Sequence, residues 1–169
     1  MTSQFSNELL NKAKSYLSPQ QKDLITDLDT VNKLLKQNHI SDYSFLVAPA
    51  AKAYEGYLKD FFLKIGIIDR SSYESDRFRV GKTLNPSLRY KRFSIFQKLT
   101  DLHEKGEELA EILWDAWKFG RNEILHYFPH NLKSLNKQEA DERIALILSA
   151  IVKSSQFVEE NQTAYSKML

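Results

Sequence analysis

Apolar residues recur at helical spacing along nearly the whole chain, and no stretch alternates apolar and polar positions as a half-buried strand would. The pattern predicts an all-α protein. Phe5 to Leu17 carries a first amphipathic helix. Ser18-Pro19 supplies an N-cap and a proline at the first helical position, opening a second helix to about His39. Ser41-Asp42 caps a third, which runs to Ile65 and stops at Gly66; Pro49 either kinks it or marks its true start. From Asp69 to Arg92 the periodicity lapses among Gly81, Pro86 and several serines, which reads as a long loop with room for a short turn of helix. Helix resumes over Phe93 to Glu104 and over Glu107 to Phe128, where Pro129 ends it. Asn136 opens the last helix, with Glu139 completing a capping-box-like N-x-x-E, and the period carries to about Ala164. No repeat or interdomain linker interrupts this order, so residues 1–169 form a single domain, a bundle of about five or six helices whose first two fill residues 1–40.

Composition narrows the classes. A chain of 169 residues can bury a genuine core, and its 42% hydrophobic and 27% charged residues are ordinary for a globular protein. No apolar run approaches the roughly 18 to 20 residues that span a bilayer, and MTSQFSNELLNK lacks the layout of a signal peptide. The absence of cysteine excludes disulfides, thiolate zinc sites and a Cys nucleophile, and a cytoplasmic protein without membrane contact is the expectation. The net charge of +2 becomes informative only when it is located. The Asp69–Arg92 segment holds seven basic residues (Arg70, Arg77, Arg79, Lys82, Arg89, Lys91 and Arg92) against Asp69, Glu74 and Asp76, a local +4 that leaves −2 for the rest. Tyr73, Phe78 and Tyr90 are interleaved with these charges, as in a surface that stacks bases while tracking phosphates; a merely soluble basic loop is the other reading.

The Glu107–Phe128 helix has two apolar sides. Leu109, Leu113, Ala116, Gly120, Ile124 and Tyr127 share one stripe, the core face, where Gly120 permits a close helix approach. Trp114, Lys118, Arg121, Asn122, Leu125 and His126 lie opposite. A solvated face has no use for Trp114 and Leu125, so a second contact is expected there, most simply a homodimer. Asn122 and His126, four residues apart, allow the amide to orient the imidazole. The plainer reading makes His126 a surface histidine at a helix C-terminus. His39, His103 and His130 lack the spacing of a metal cluster.

Arg121-Asn122-Glu123-Ile124-Leu125-His126 resembles the signature of the HEPN superfamily, an Arg separated by four to six residues from a His, commonly with Asn, Asp or His after the Arg. Upstream, KAYEGYLKDFF (Lys52 to Phe62) is similar to the earlier helix of these domains, where an acidic residue supports the active site. Together the two stretches look most like the catalytic C-terminal domain of RNase LS-type toxins, over residues 42–169. The resemblance implies a helical domain that dimerises with its Arg…His motifs face to face and cleaves RNA without metal or other cofactor, as a toxin or phage-defence effector held by a cognate antitoxin or inhibitor protein. It implies that His126 is the general base or acid, that Arg121 stabilises the phosphate transition state, and that Asn122 holds the histidine or a phosphate oxygen, giving a 2′,3′-cyclic phosphate and a 5′-hydroxyl. Glu55 would orient Arg121, or else form an exposed pair with Lys59 on its own helix. Lys118 would contact RNA backbone or simply be solvated. Where HEPN proteins regulated by adenylylation carry a tyrosine two places after the histidine, this chain has Phe128, and its tyrosine is Tyr127, on the core stripe. A non-catalytic RNA- or nucleotide-binding module of the same fold, or a helical interaction protein, are the competing expectations.

Overall fold

The computed structural model describes residues 5–35 and 39–161, and among them every regular element is helical. Six helices are of eight residues or more: α1 (Asn7–Ser15), α2 (Pro19–Leu34), α3 (Ser44–Lys64), α6 (Ile95–Leu102), α7 (Gly106–Trp117) and α8 (Lys137–Glu160). Two are single turns, α4 (Arg70–Glu74) and α5 (Val80–Thr83), so the expected long loop is a chain of short helical steps finished by a 3-10 turn at Pro86–Leu88. Side chains cap the first and last of these steps: Asp69 accepts from the Ser72 N–H at α4 and Asn85 from the Ser87 N–H at the 3-10 turn.

Start signals in the sequence work as local chemistry requires. Ser18 and Gln21 form a reciprocal capping box ahead of Pro19, and Asn136 and Glu139 do the same for α8. The N-cap of α3 is Tyr43, which makes no side-chain cap bond, and not Ser41 or Asp42 as expected. Asp42, one residue before it, still tethers the start of the helix, its carboxylate accepting from the Ser44 N–H at 2.9 Å and hydroxyl at 2.6 Å. Pro49 lies inside α3 without ending it; the carbonyl deprived of its partner belongs to Phe45, 47% exposed, where water can take the bond. Gly66 ends α3 with φ 71°, a conformation that only glycine adopts without strain. Stop positions differ more. α2 ends at Leu34, so His39 does not close it, and the end of α8 expected near Ala164 lies outside the described residues.

α3 is the spine of the core. Tyr54, Leu58 and Phe62 are fully buried, and the Tyr54 hydroxyl donates to the Leu113 carbonyl of α7 at 2.9 Å. Ile144, Ile147, Leu148 and Ile151 of α8 close the other side.

α7 departs most from its expected course. It ends at Trp117 and passes into one turn of π-helix, Lys118–Asn122, closed by the Glu123 N–H donating to the Lys118 carbonyl at 3.0 Å. Gly120 faces α8 there: a Cβ would stand 2.6 Å from Cγ1 of Ile147, which confirms the close approach. The extra residue of a π turn rotates everything after it. Ile124 stays buried, but Tyr127 leaves the core stripe and is 80% exposed, and residues 123–128 are turn and extended chain instead of helix. Phe128 is extended before Pro129, as the proline ring demands. The following 3-10 turn (Pro129–Asn131) is fastened to the start of α3, since Asp42 accepts from the Asn131 side chain at 2.9 Å and the Leu135 N–H at 3.2 Å. These bonds suit positive φ at Asn131 and His130, residue types that tolerate it.

Candidate functional site

The residues singled out at the end of α7 meet α3 and α5 around a cleft of about 300 Å³. Glu55, in the middle of α3, accepts from Nη2 of Arg121 at 3.1 Å. Thus its partner is across the helices and not Lys59 along its own. Both side chains remain about a third exposed, 29% for Arg121 and 35% for Glu55, so the pair adds little stability and acts mainly to aim the guanidinium. The same guanidinium lies 4.6 Å over the ring of Trp117. Its position is therefore fixed by an acidic partner at its edge and an indole at its face. Asn122 lines the cleft beside it, and its Oδ1 stands 3.3 Å from Nε2 of His126. His126 itself is exposed and is not among the cleft's lining residues; it is joined to the cleft through Asn122.

Of the basic segment, the fold brings Arg79 and Lys82 to this cleft. The others go elsewhere. Arg89 bonds Glu107 at 2.8 Å and Gln97 at 3.0 Å, a structural tie between the segment and helices α6 and α7. Arg77 and Arg92 are exposed outside the cleft, Lys91 lies 4.8 Å over the Tyr90 ring, and Arg70 sits on Tyr73. Lys118 lies 4.7 Å over Phe119 and does not line the cleft. Tyr73 is committed to the fold, donating to Asp60 at 2.7 Å, and Phe78 packs on the core; Tyr90 alone of the three is largely exposed, at 72%.

Trp114 also changes meaning. It is half-buried against the core and forms part of the cleft wall, so it is not the bare apolar surface that the two-sided helix implied. Leu125 does stand out, 49% exposed, with Tyr127 at 80% and Leu132 at 79% in the segment that follows.

Trp117, Gly81 and Asn85 complete the cleft, and none stood out in the sequence. The Trp117–Arg121 spacing of four was a usable signal for the stacked pair. Asn85 and Gly81 looked like ordinary loop residues. The polar groups they add are donors. The Asn85 Oδ1 is taken by the Ser87 N–H and the Asn122 Oδ1 by His126, which leaves both amide NH₂ groups to join Arg79, Lys82 and Arg121. Glu55 is the one carboxylate in the lining, and it is spent on Arg121. Such a cleft is complementary to an anion rich in acceptor oxygens.

Among the described residues, no group of three or more His, Asp or Glu is placed to hold a metal ion, and no helix is long and apolar enough to cross a membrane. Comparison of the chain with protein-family models, with curated proteins and with solved structures finds no match in any of the three.

Proposed function

We propose that the chain is a metal-independent endoribonuclease of the HEPN kind, cutting RNA by attack of a ribose 2′-hydroxyl on the adjacent phosphate. The observation that carries this reading is the donor-lined cleft in which Glu55 holds Arg121 beside Asn122, with Arg79 and Lys82 opposite. When His126 donates Nε2–H to Asn122 Oδ1, its Nδ1 keeps a free lone pair, and that nitrogen takes the proton of the 2′-hydroxyl. The 2′-oxygen then bonds phosphorus and the bond to the 5′-oxygen breaks. The leaving oxygen takes a proton from the imidazolium of a second copy, and the products are a 2′,3′-cyclic phosphate and a 5′-hydroxyl. Arg121 faces the charge that grows on the phosphate oxygens. Only RNA has the attacking group.

Exposure of His126 outside the cleft is why the reading includes a homodimer. A second copy seated on Leu125, Tyr127 and Leu132 would wall in the imidazole and align two clefts. An activity of this kind in a cell needs restraint, so a toxin or phage-defence role with a cognate inhibitor protein belongs to the same proposal. The same exposure also favours a second reading, a non-catalytic module that grips RNA or a nucleotide with Arg121, Arg79 and Lys82. Labelled RNA incubated in EDTA with wild type, His126→Ala and Arg121→Ala separates the two. The nuclease reading expects cleavage by wild type and its loss in both variants; binding without cleavage by wild type would establish the module instead.

A further inference from the structure

Trp117 is 3% exposed, yet its indole N–H has no acceptor among the described residues. The nitrogen itself is not among the buried unpartnered polar atoms of the described residues, so this donor is reachable from outside although the rest of the side chain is buried. This one borders the cleft, and the residue against it is Gly81 of α5. A Cβ at position 81 would lie 2.5 Å from Nε1 and 3.0 Å from Cε2, so glycine is what leaves the donor uncovered. The residues flanking Gly81 in the same stretch, Arg79 and Lys82, bring two cations to the same cleft, although Nη1 of Arg79 already donates to the Asp76 and Phe78 carbonyls and the Lys82 ammonium lies 5.0 Å over the Phe93 ring. Arg121 is stacked on the face of this indole, which separates its guanidinium from the N–H edge.

We propose that Trp117 Nε1–H, with Arg79 and Lys82, forms a phosphate subsite of its own, next to the place where Arg121 engages a phosphate. An anionic oxygen is the acceptor that fits, because the charged groups of the lining other than Glu55 are cations and Glu55 is held by Arg121. The subsite rests on the nuclease reading only for its occupant, a phosphate of the RNA backbone that is held and not cut. It would fix the register of the strand in the cleft.

The two tryptophans give two indole signals in a ¹⁵N-correlated NMR spectrum, and the Trp117 signal is the one missing from Trp117→Phe. Two probes are titrated into the wild-type protein: a short oligoribonucleotide with every 2′-hydroxyl methylated, which cannot be cleaved, and inorganic pyrophosphate. Both are expected to move the Trp117 signal saturably. Trp117→Phe, which keeps a ring beneath Arg121, is expected to bind the oligomer about tenfold or more weakly, the size of effect seen when a hydrogen bond to a charged group is lost. Gly81→Ala, which covers the donor, is expected to stop the shift. Oligomer binding that moves Trp114 and the amides near Arg121 but not Trp117 overturns the subsite and leaves the nuclease reading standing. A response to pyrophosphate with no binding of the oligomer upholds the subsite and removes RNA as its occupant. No response to either probe overturns it.

Discussion

Arg121 is gripped by Glu55 through one bond at its edge and by Trp117 at its face, and the stack is the contact that needs a flat, delocalised cation. Arg121→Lys keeps the charge but loses the stack and the fork. It is expected to lower RNA cleavage by roughly a hundredfold, the scale of one lost transition-state donor. Its melting temperature should stay near wild type, because the ion pair is about a third exposed. Parallel cleavage assays and thermal melts check both halves. Asp42 is a different kind of residue. Partial burial pushes its carboxyl up, but hydrogen bonds from Ser44, Asn131 and Leu135 outweigh that and hold it at about 2 against an ordinary 3.8. A carboxyl lowered on folding contributes stability that is complete above the unfolded value and fades as pH falls toward the folded one. Asp42→Asn is therefore expected to be less stable than wild type at neutral pH by about 1–2 kcal/mol. The gap should narrow between about pH 4 and about pH 2, as urea unfolding across that range would show. At this scale the sequence was readable wherever chemistry is local: Ser18 and Asn136 announce their helix starts by type and position, while Asp42 stands one residue before the cap of its helix. Arg121 and Glu55 were readable only through the resemblance of two stretches to a known family, since nothing local joins residues on separate helices. The Trp117 donor was invisible, because its lack of a partner depends on what Gly81 does not cover.

The element that decides the site is the π turn between α7 and the loop after it. Its inserted residue carries Arg121 and Asn122 to the cleft while Gly120 beds against Ile147. Gly120→Ala must push Ile147 aside or unwind the π turn, at an expected cost of about 1–3 kcal/mol, typical of overpacking. Trimming the neighbour in Gly120→Ala/Ile147→Ala should recover part of that loss, so a double-mutant cycle by urea unfolding ought to show favourable coupling. Additive losses would mean that the close approach does not set the turn. A regular helical wheel has no means of showing an inserted residue, and for this reason the stripe through Ile124 was right and its extension to Tyr127 wrong. The Asp69–Arg92 segment, expected as a long loop with room for a short turn of helix, showed only part of its order in the periodicity for a related reason. Its helical steps, α4 and α5, are five and four residues long, too short to show a period; α4 is held by the Asp69 cap, α5 has no side-chain cap, and the Tyr73–Asp60 and Arg89–Glu107 bonds tie the segment to distant elements.

At the scale of the molecule, Leu125, Tyr127 and Leu132 are exposed apolar side chains in the same stretch of chain as the exposed His126. A second copy of the chain covering them would join the clefts into one groove. Gel filtration with light scattering should then give twice the 19.7 kDa chain mass. Leu125→Asp should return a folded monomer with cleavage lost in step. A strict wild-type monomer would remove the shared groove and with it the means of enclosing His126. The all-helical architecture was legible in the periodicity, as the bundle is built from amphipathic faces. The cleft was not, because it forms where three separate elements converge.

The central claim is that a ribose hydroxyl is the nucleophile and His126 its base. The most direct measurement uses a labelled RNA cut at a mapped position and the same RNA carrying a single 2′-deoxy sugar just before that bond, both in EDTA. The account predicts a 2′,3′-cyclic phosphate end from the first substrate and silence at the deoxy position in the second. Cleavage at the deoxy position, or an end bearing a 5′-phosphate, would contradict it.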